Sequence, residues 1–418
     1  MKETPFVDTT IISGARLIDG SGRPPLADPV IVIHGERIAG IFQGAVPEGW
    51  NSVDVSQAQR LDYPGATVLP GLIDCHVHLN LPGDGTPFPV AVGESDGVLV
   101  AISVRNAHNA LRSGITTLRD CGGRGATTFE VRRAIELGYA SGPRLVLCGQ
   151  PITMTGGHCW YFGGEADGPE NVRHKVRELA KMGADFIKVM GSGGGTPGTM
   201  SWQPSYSREE LTVLKDEAHQ LLRKISVHCL CGEAIMLAST VGVDHIEHGW
   251  FICDEGGQQR YMPEAAEAIV RSGARVSATL SVGYHAIRAL TALEHRAHED
   301  QASLDRWHVM LEDNLRHFRA LAEAGVRFVA GTDSGWGYSP FPALVDGIDL
   351  MHQGGLSTME AIVAATSRAA EALAIDRTTG MIRDGLDADL IVVADDPLAN
   401  VRALDRAVLV MKGGTVVV

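Results

Sequence analysis

Short apolar runs alternate with helical stretches between about residue 68 and residue 374. This alternation is typical of a parallel sheet, in which a helix carries the chain back to the start of the next strand. Eight such units favour a closed (β/α)8 barrel over an open sheet, which makes the chain an α/β protein. The eight runs are 68–78, 116–121, 144–148, 186–190, 226–230, 244–248, 275–280 and 326–333.

Both ends of the chain have a different pattern. The first seventy and last forty residues contain short β-type runs, such as 30–33 and 388–393, with no helical period. The total of 418 residues also exceeds the roughly 250 residues that a barrel needs. We therefore expect a barrel over residues 68–379 and a small composite β-sandwich domain built from residues 1–67 and 380–418.

Charge and cysteine content restrict the partners and the compartment. The formal net charge is −14, which argues against nucleic acid and anionic membrane surfaces as partners. No apolar run reaches the 18 residues of a membrane span, and the first residues lack a signal-peptide core. The seven cysteines are scattered and odd in number, which favours reduced thiols. We expect a cytoplasmic protein.

Histidines end the first predicted strand. Because strand side chains alternate, His76 and His78 point to the same side and could share a metal ion. An isolated His-x-His pair is weak evidence, since buried or surface histidines are the common alternative.

A lysine lies in the middle of the fourth predicted strand. Lys188 stands in the apolar run 186–190, where an unpaired ammonium group would be costly. One interpretation is a side chain that reaches outward to solvent. The other is an amine that reacts with carbon dioxide to give a carbamate, whose two oxygens bridge two cations.

The remaining candidate ligands end the fifth, sixth and eighth strands. His228, His245 and His248 could each be a buried structural histidine, and Asp333 could be a helix N-cap. A carboxylate at that position can instead bind a metal or accept a proton from water. Because all these residues fall at the same end of one predicted barrel, we expect them to bind divalent metal ions.

At this point the chain resembles the amidohydrolase superfamily along nearly its whole length. The resemblance implies that His76 and His78 hold the buried ion with Asp333, that His228 and His248 hold the more exposed ion, and that carboxylated Lys188 bridges the two. It also implies two Zn²⁺ ions as cofactors, attack by a metal-bridging hydroxide, and a structural role for His245. The matching segments are 69–78, Lys188, His228, 247–249, 331–333 and 385–393.

Within that superfamily the chain is similar to the imidazolonepropionase-related group that includes Xaa-Pro dipeptidases. The similarity lies in the 156–158 loop and in residues 186–188. Many of those dipeptidases follow the fifth-strand histidine with Ala-Tyr, and the Tyr helps to hold a substrate carboxylate. Cys229 and Leu230 stand there in this chain, which leaves a carboxylate on the substrate open.

The resemblance implies a small amide-like substrate, such as a dipeptide, an N-acyl amino acid or a carbamate, and a homo-oligomer. Asp333 would be the catalytic proton carrier. His158 would contact the substrate or its oxyanion, although simple loop packing explains it equally well. Loop aromatic residues could line an apolar site, although ordinary loop packing explains them equally well. They are Tyr161, Trp202, Tyr206 and Trp336.

Two rival functions remain at this stage. The first is a mononuclear deaminase or cyclic-amide ring hydrolase on the same barrel, which would not need a bridging ligand such as Lys188. The second is a non-catalytic scaffold, which would be expected to lack some of the metal ligands present here.

Overall fold

The computed structural model describes residues 9–295 and 297–418 of the chain. Within these residues the chain forms sixteen strands, twelve α-helices and two short 3-10 helices, at Trp160–Phe162 and Val401–Asp405. The strands are β1 (Thr9–Leu17), β2 (Leu26–Ala27), β3 (Pro29–His34), β4 (Arg37–Gln43), β5 (Gln59–Pro70), β6 (Leu72–Val77), β7 (Ile115–Asp120), β8 (Arg144–Leu147), β9 (Phe186–Met190), β10 (Lys224–Cys229), β11 (His245–His248), β12 (Arg275–Ser277), β13 (Arg327–Val329), β14 (Leu390–Val393), β15 (Ala407–Lys412) and β16 (Thr415–Val416). The helices are α1 (Phe88–Gly93), α2 (Asp96–Arg112), α3 (Thr127–Glu136), α4 (Gly168–Met182), α5 (Arg208–Gln220), α6 (Gly232–Val241), α7 (Pro263–Ser272), α8 (Ser281–Thr291), α9 (His298–Glu323), α10 (Leu344–Gln353), α11 (Thr358–Ala364) and α12 (Ser367–Ala372).

Strands from both ends of the chain belong to one eight-stranded sheet. Its order is β16-β15-β14-β5-β1-β3-β4, with β2 beside β1. The two ends meet where β5 pairs antiparallel with β14. Successive residues such as Ile11 and Ile12 point to opposite faces of the sheet and pack into separate apolar clusters. Both faces of this sheet therefore carry apolar side chains.

The other eight strands form a three-stranded sheet, β6-β7-β8, and a five-stranded sheet from β9 to β13. The five-stranded sheet is parallel, and its strands follow one another in chain order. Each of the eight strands is followed in the chain by at least one helix, and each overlaps one predicted run. The α/β class is thereby confirmed.

Three of the predicted strands are clearly shorter than expected. The run 275–280 keeps strand geometry only over Arg275–Ser277. The run 68–78 divides at Gly71, where β5 ends and β6 begins. A Cβ atom at Gly71 would lie 2.2 Å from Oγ1 of Thr116, so only glycine fits at this change of sheet. The run 326–333 keeps strand geometry only over Arg327–Val329. Beyond it the chain turns, and Asp333 has a φ of +61°.

The chain divides into two compact units. One contains the described part of residues 1–73 together with 110–117 and 357–418, and the other contains the described part of residues 74–109 and 118–356. Every candidate site residue belongs to the second unit. The domain limits at residues 67/68 and 379/380 stay a prediction.

Candidate metal centre

The six predicted metal ligands line one cavity of about 370 Å³ in the second unit. Four strands and the segment after β13 supply them, each at or near the carboxyl end of its strand except Lys188, which lies in the middle of β9. All six side chains are buried. They are His76, His78, Lys188, His228, His248 and Asp333.

The first two imidazoles are held through Nδ1. Nδ1 of His76 lies 2.7 Å from Oε2 of Glu247, and Nδ1 of His78 lies 3.2 Å from the carbonyl oxygen of Gly122. Both partners can only accept, so each Nδ1 carries the hydrogen and each Nε2 keeps a lone pair. These two Nε2 atoms lie 3.4 and 3.2 Å from Oδ1 of Asp333.

The other two imidazoles are held through opposite nitrogens. Nε2 of His228 donates to the carbonyl oxygen of Gly193 at 3.1 Å, which leaves Nδ1 with the lone pair. Nδ1 of His248 contacts Oγ1 of Thr279 at 2.8 Å. Nε2 is therefore the nitrogen of His248 that remains available to a metal ion. A fixed partner on one nitrogen orients the ring and selects the nitrogen that can bind a metal ion.

Burial keeps three of these imidazoles neutral, those of His76, His228 and His248. Removal from water, with Lys188 as the next contribution, lowers the pKa of His76 to about 4. Burial also lowers the pKa of His228 and of His248 well below the usual value. Neutral imidazole is the form that binds metal ions, so these three histidines are in the protonation state that a metal centre requires.

The contacts around Asp333 fit a bound cation. Its Oδ1 atom faces two Nε2 lone pairs, and no hydrogen lies between them, so Oδ1 is buried without a hydrogen-bond donor among the described residues. Nζ of Lys188 is also buried and has no hydrogen-bond partner there. One ligand atom from each of His76, His78 and Asp333 lies within 4.8 Å of the others. This donor set fits a divalent metal ion, which would satisfy all three atoms.

A buried ionic network lies on the far side of His76. Glu247 accepts hydrogen bonds from Nη2 of Arg119 and Oγ of Ser226, both at 2.5 Å. Burial works to raise the pKa of Glu247, but the Arg119 guanidinium and His76 outweigh it and hold the pKa well below the usual value. Cys121 also lies close to His76 and Glu247. Because Arg119 already supplies the positive charge there, this cluster does not need a metal ion.

Backbone strain is concentrated at the centre. Asp333, His248 and Thr279 have φ angles of +61°, +66° and +46°, in the left-handed region that non-glycine residues seldom adopt. Such conformations persist where the surrounding structure enforces them, and they cluster at functional sites.

His158 lies beside the centre, in the loop after β8. Its ring is 4.6 Å from the ring of His228 and 5.5 Å from that of Trp336. Its Nδ1 contacts Oγ1 of Thr196 at 2.8 Å, and the same oxygen accepts the backbone N–H of Cys159. Burial lowers the pKa of His158 to about 3, so the ring is neutral.

The predicted aromatic residues are divided between the cavity and the protein interior. Trp336 lines the cavity, and Trp202 packs against an apolar cluster whose members also line it. Tyr161 packs in a different cluster, and Tyr206 donates its hydroxyl hydrogen to the carbonyl oxygen of Ala166 at 2.9 Å. Neither tyrosine is among the residues that line the cavity. His245 is buried outside the cavity lining as well.

Sequence reasoning assigned no role to several residues of the site. Glu247 and Arg119 could have been noticed as charged residues within apolar strands, since such residues need a partner. Thr279 gave no local signal. The same is true of Trp307 and Met310, which reach the cavity from α9.

The chain belongs to the amidohydrolase family, whose model matches residues 67–417. It is a hydrolase that acts on C–N bonds of the amide type, and it contains no described helix long and apolar enough to cross a membrane. In sequence it is 30% identical to an ochratoxinase of Aspergillus niger, over 97% of this chain and 86% of the relative. It is 23% identical to an imidazolonepropionase of Ralstonia nicotianae, over 95% of this chain and 94% of the relative.

The solved structures confirm the resemblance. A Xaa-Pro dipeptidase with bound methionine in its active site superposes with a TM-score of 0.84 at 27% identity, covering 98% of this chain and 99% of the dipeptidase chain. The fold is therefore the α/β fold of the amidohydrolases.

Proposed function

We propose that the chain is a binuclear metal-dependent hydrolase that cleaves an amide-like C–N bond in a small molecule. The observation that carries this proposal is the contact of two imidazole lone pairs with Oδ1 of Asp333 at 3.2 and 3.4 Å. Three electron-rich atoms repel one another at such distances unless a cation binds between them.

His76, His78 and Asp333 would hold one ion, and His228 and His248 would hold the second. Lys188, as its carbamate, would bridge them, which accounts for a buried Nζ without a hydrogen-bond partner among the described residues. Imidazole and carboxylate ligands suit Zn²⁺, which we propose as the metal. Divalent ions at this position supply Lewis acidity, which polarises a carbonyl group and lowers the pKa of water.

Two side chains of the cavity would handle the substrate. Asp333 accepts the proton of the attacking water and returns it to the leaving nitrogen, so that an amine and a carboxylate are released. His158 binds the carbonyl oxygen of the scissile bond. Thr196 already accepts the Cys159 N–H and can donate its own hydrogen to Nδ1 of His158. The ring then carries its hydrogen on Nε2, which contacts Sγ of Cys159 at 3.5 Å and would donate to that oxygen when substrate is bound.

We also propose that strands β6 to β13 close into a (β/α)8 barrel. Parallel bridges between Ile152 and Val189 and between Val77 and Ser334 support closure at the two gaps between the sheets. The composite sheet from the chain ends would be the core of the proposed satellite sandwich.

The named relatives support a small amide-like substrate. A dipeptidase is similar to this chain in structure and an ochratoxinase in sequence. Dipeptides and N-acyl amino acids are therefore the first compounds to examine.

Metal analysis of the purified protein, combined with a hydrolysis screen of dipeptides, N-acyl amino acids and aryl amides, tests the proposal. We expect about two metal ions per chain. Lys188→Ala should lose activity and partly regain it when a short carboxylic acid is added. Lys181→Ala, which alters an exposed lysine in α4, is the matched control. Full activity of Lys188→Ala without added acid would exclude the bridging role.

A further inference from the structure

One side of the cavity is a continuous apolar wall. Leu230 follows β10, Trp250 and Ile252 follow β11, and Val282 lies in α8. These four buried side chains form one cluster, and Trp202, Trp307 and Met310 pack against it. All but Trp202 line the cavity that contains the candidate metal ligands.

Helix α9 presents a single face to this cavity. Four of its residues line it, at spacings of three, one and three: Ser303, Arg306, Trp307 and Met310. Residues three or four positions apart lie on the same side of a helix. Arg306 is therefore next to the apolar wall, and its side chain is exposed at the edge.

The guanidinium of Arg306 has no hydrogen bond or ion pair within residues 9–295 and 297–418. Arg316, on the same helix, pairs with Asp313. Arg306 is thus an unpaired charged donor that lines the reaction cavity, and it also lines a neighbouring pocket that contains Asp254, Asp305 and Asp313. Glu255 is the acidic residue of the cavity lining besides Asp333.

We propose that the substrate carries a bulky apolar group and a carboxylate on the same half of the scissile amide, an inference that rests on the proposed function. The apolar group packs on Trp250, Trp307 and Met310, and Arg306 binds the carboxylate. Guanidinium and carboxylate form two parallel hydrogen bonds, which gives Arg306 both affinity and orientation. A small polar dipeptide would leave this wall in contact with water, so an aromatic side chain is preferred.

Arg306 supplies a carboxylate-binding group in a site where β10 is followed by Leu230, a member of the apolar wall. Arg306 lies in the helix before β13, so the carboxylate contact comes from a different part of the chain. Specificity for the substrate carboxylate then depends on Arg306 in α9 rather than on a residue at the carboxyl end of a strand.

Four amides, assayed with the metal-loaded enzyme, separate the two elements of the inference. N-acetyl-L-tryptophan has both groups, N-acetyl-L-tryptophanamide lacks the charge, and N-acetylglycine lacks the ring. The fourth compound replaces the carboxylate of N-acetyl-L-tryptophan by an aminomethyl group, which would favour Glu255. We expect kcat/KM for N-acetyl-L-tryptophan to be at least about tenfold above that for each of the other three.

Variants of α9 identify the residues responsible. Arg306→Gln should raise KM for N-acetyl-L-tryptophan about 10- to 100-fold with kcat little changed, and Arg306→Lys should retain part of the affinity. Trp307→Ala should reduce the preference for N-acetyl-L-tryptophan over N-acetylglycine. Arg316→Gln is the matched control on the same helix, and it should leave both preferences intact.

A binding measurement keeps this inference distinct from the proposed function. The ligand is the ketone analogue of N-acetyl-L-tryptophan in which CH2 replaces the scissile N–H, titrated into the metal-loaded enzyme by calorimetry. Binding that weakens about tenfold in Arg306→Gln supports the inference even if no amide is hydrolysed, which would refute only the proposed function. Hydrolysis of all four amides at similar kcat/KM, with no effect of Arg306→Gln, would overturn the inference and leave the function standing. Absence of both hydrolysis and Arg306-dependent binding would overturn both.

Discussion

His76 donates its Nδ1 hydrogen to Oε2 of Glu247 across 2.7 Å, and both side chains are buried. The second carboxylate oxygen of Glu247 accepts hydrogen bonds from Arg119 and Ser226. One carboxylate therefore orients a candidate metal ligand and neutralises a buried guanidinium. This arrangement links the metal centre to the stability of the surrounding strands.

Glu247→Gln removes that charge and leaves Arg119 buried without a counter-ion. We expect a loss of stability of about 3–5 kcal/mol and a metal affinity about 10- to 100-fold lower, because His76 loses its charged partner. Chemical unfolding and metal content per chain measure the two effects. Glu233→Gln, at an exposed position in α6, is the isosteric control. Unchanged metal content and stability in Glu247→Gln would show that the contact has no such role.

Asp333→Asn separates stability from metal binding. In the metal-free protein the carboxylate faces two Nε2 lone pairs, whereas an amide could donate a hydrogen to one of them. We expect the metal-free variant to be more stable than the metal-free wild type by about 1 kcal/mol. Asparagine also tolerates the positive φ of this position.

Thermal unfolding with and without Zn²⁺ checks this prediction. Wild-type protein should gain about 2.7 kcal/mol at a free metal concentration one hundred times Kd, and Asp333→Asn should gain much less. Asp305→Asn, on the exposed side of α9, should behave as wild type. A metal-free Asp333→Asn variant that unfolds before metal-free wild type would contradict the proposed repulsion.

The candidate ligands were predictable because each is a polar residue at or near the end of an apolar run, except Lys188, which is a charged residue in the middle of one. Strand alternation put His76 and His78 on one side, and the structure has both facing Asp333. The alternation of strands and helices also predicted the order of β6 to β13. Local patterns do not predict the exact end of each strand. At Gly71, for example, the predicted run divides where the backbone approaches Thr116 closely.

The partners of the ligands and the apolar wall could not be predicted in the same way. Thr279 meets His248 only because β12 lies beside β11, and Trp307 reaches the cavity only through the path of α9. These contacts depend on tertiary packing, which produces no periodic pattern of residues that could be recognised in the sequence. Glu247 was visible within a family motif, but its bond to His76 joins residues 171 positions apart.

Thr279→Val tests the orientation of His248. Threonine and valine are both β-branched, so the strain of a φ of +46° is matched and only the hydroxyl is lost. Without the 2.8 Å contact to Nδ1, we expect affinity for the second metal ion to fall about 10- to 100-fold. Thr279→Ser keeps the hydroxyl and should retain the affinity. Equal metal titrations for the valine variant and wild type would refute the role.

Glu217 in α5, which does not line the cavity, makes the free energy of unfolding depend on pH. Its buried carboxylate accepts a hydrogen bond from Nε of Arg177 at 2.6 Å and contacts Nη1 of Arg173 at 3.2 Å. The hydrogen bond from Arg177 is the main cause that holds the pKa of Glu217 below its usual value of 4.5. The folded state therefore binds the proton less readily than the unfolded chain does.

Because the folded pKa is the lower one, this contribution to stability is complete above pH 4.5 and is lost as the pH falls from there through the folded pKa. We expect Glu217→Gln to be less stable than wild type at pH 7 and to show a smaller loss between pH 7 and pH 4, measured by urea unfolding. Glu209→Gln, at an exposed position in the first turn of α5, should follow the wild-type curve. If the free energy of unfolding fell equally with pH in Glu217→Gln and wild type, another carboxylate would determine the acid sensitivity. Removing Glu217 must remove its own contribution to the pH dependence.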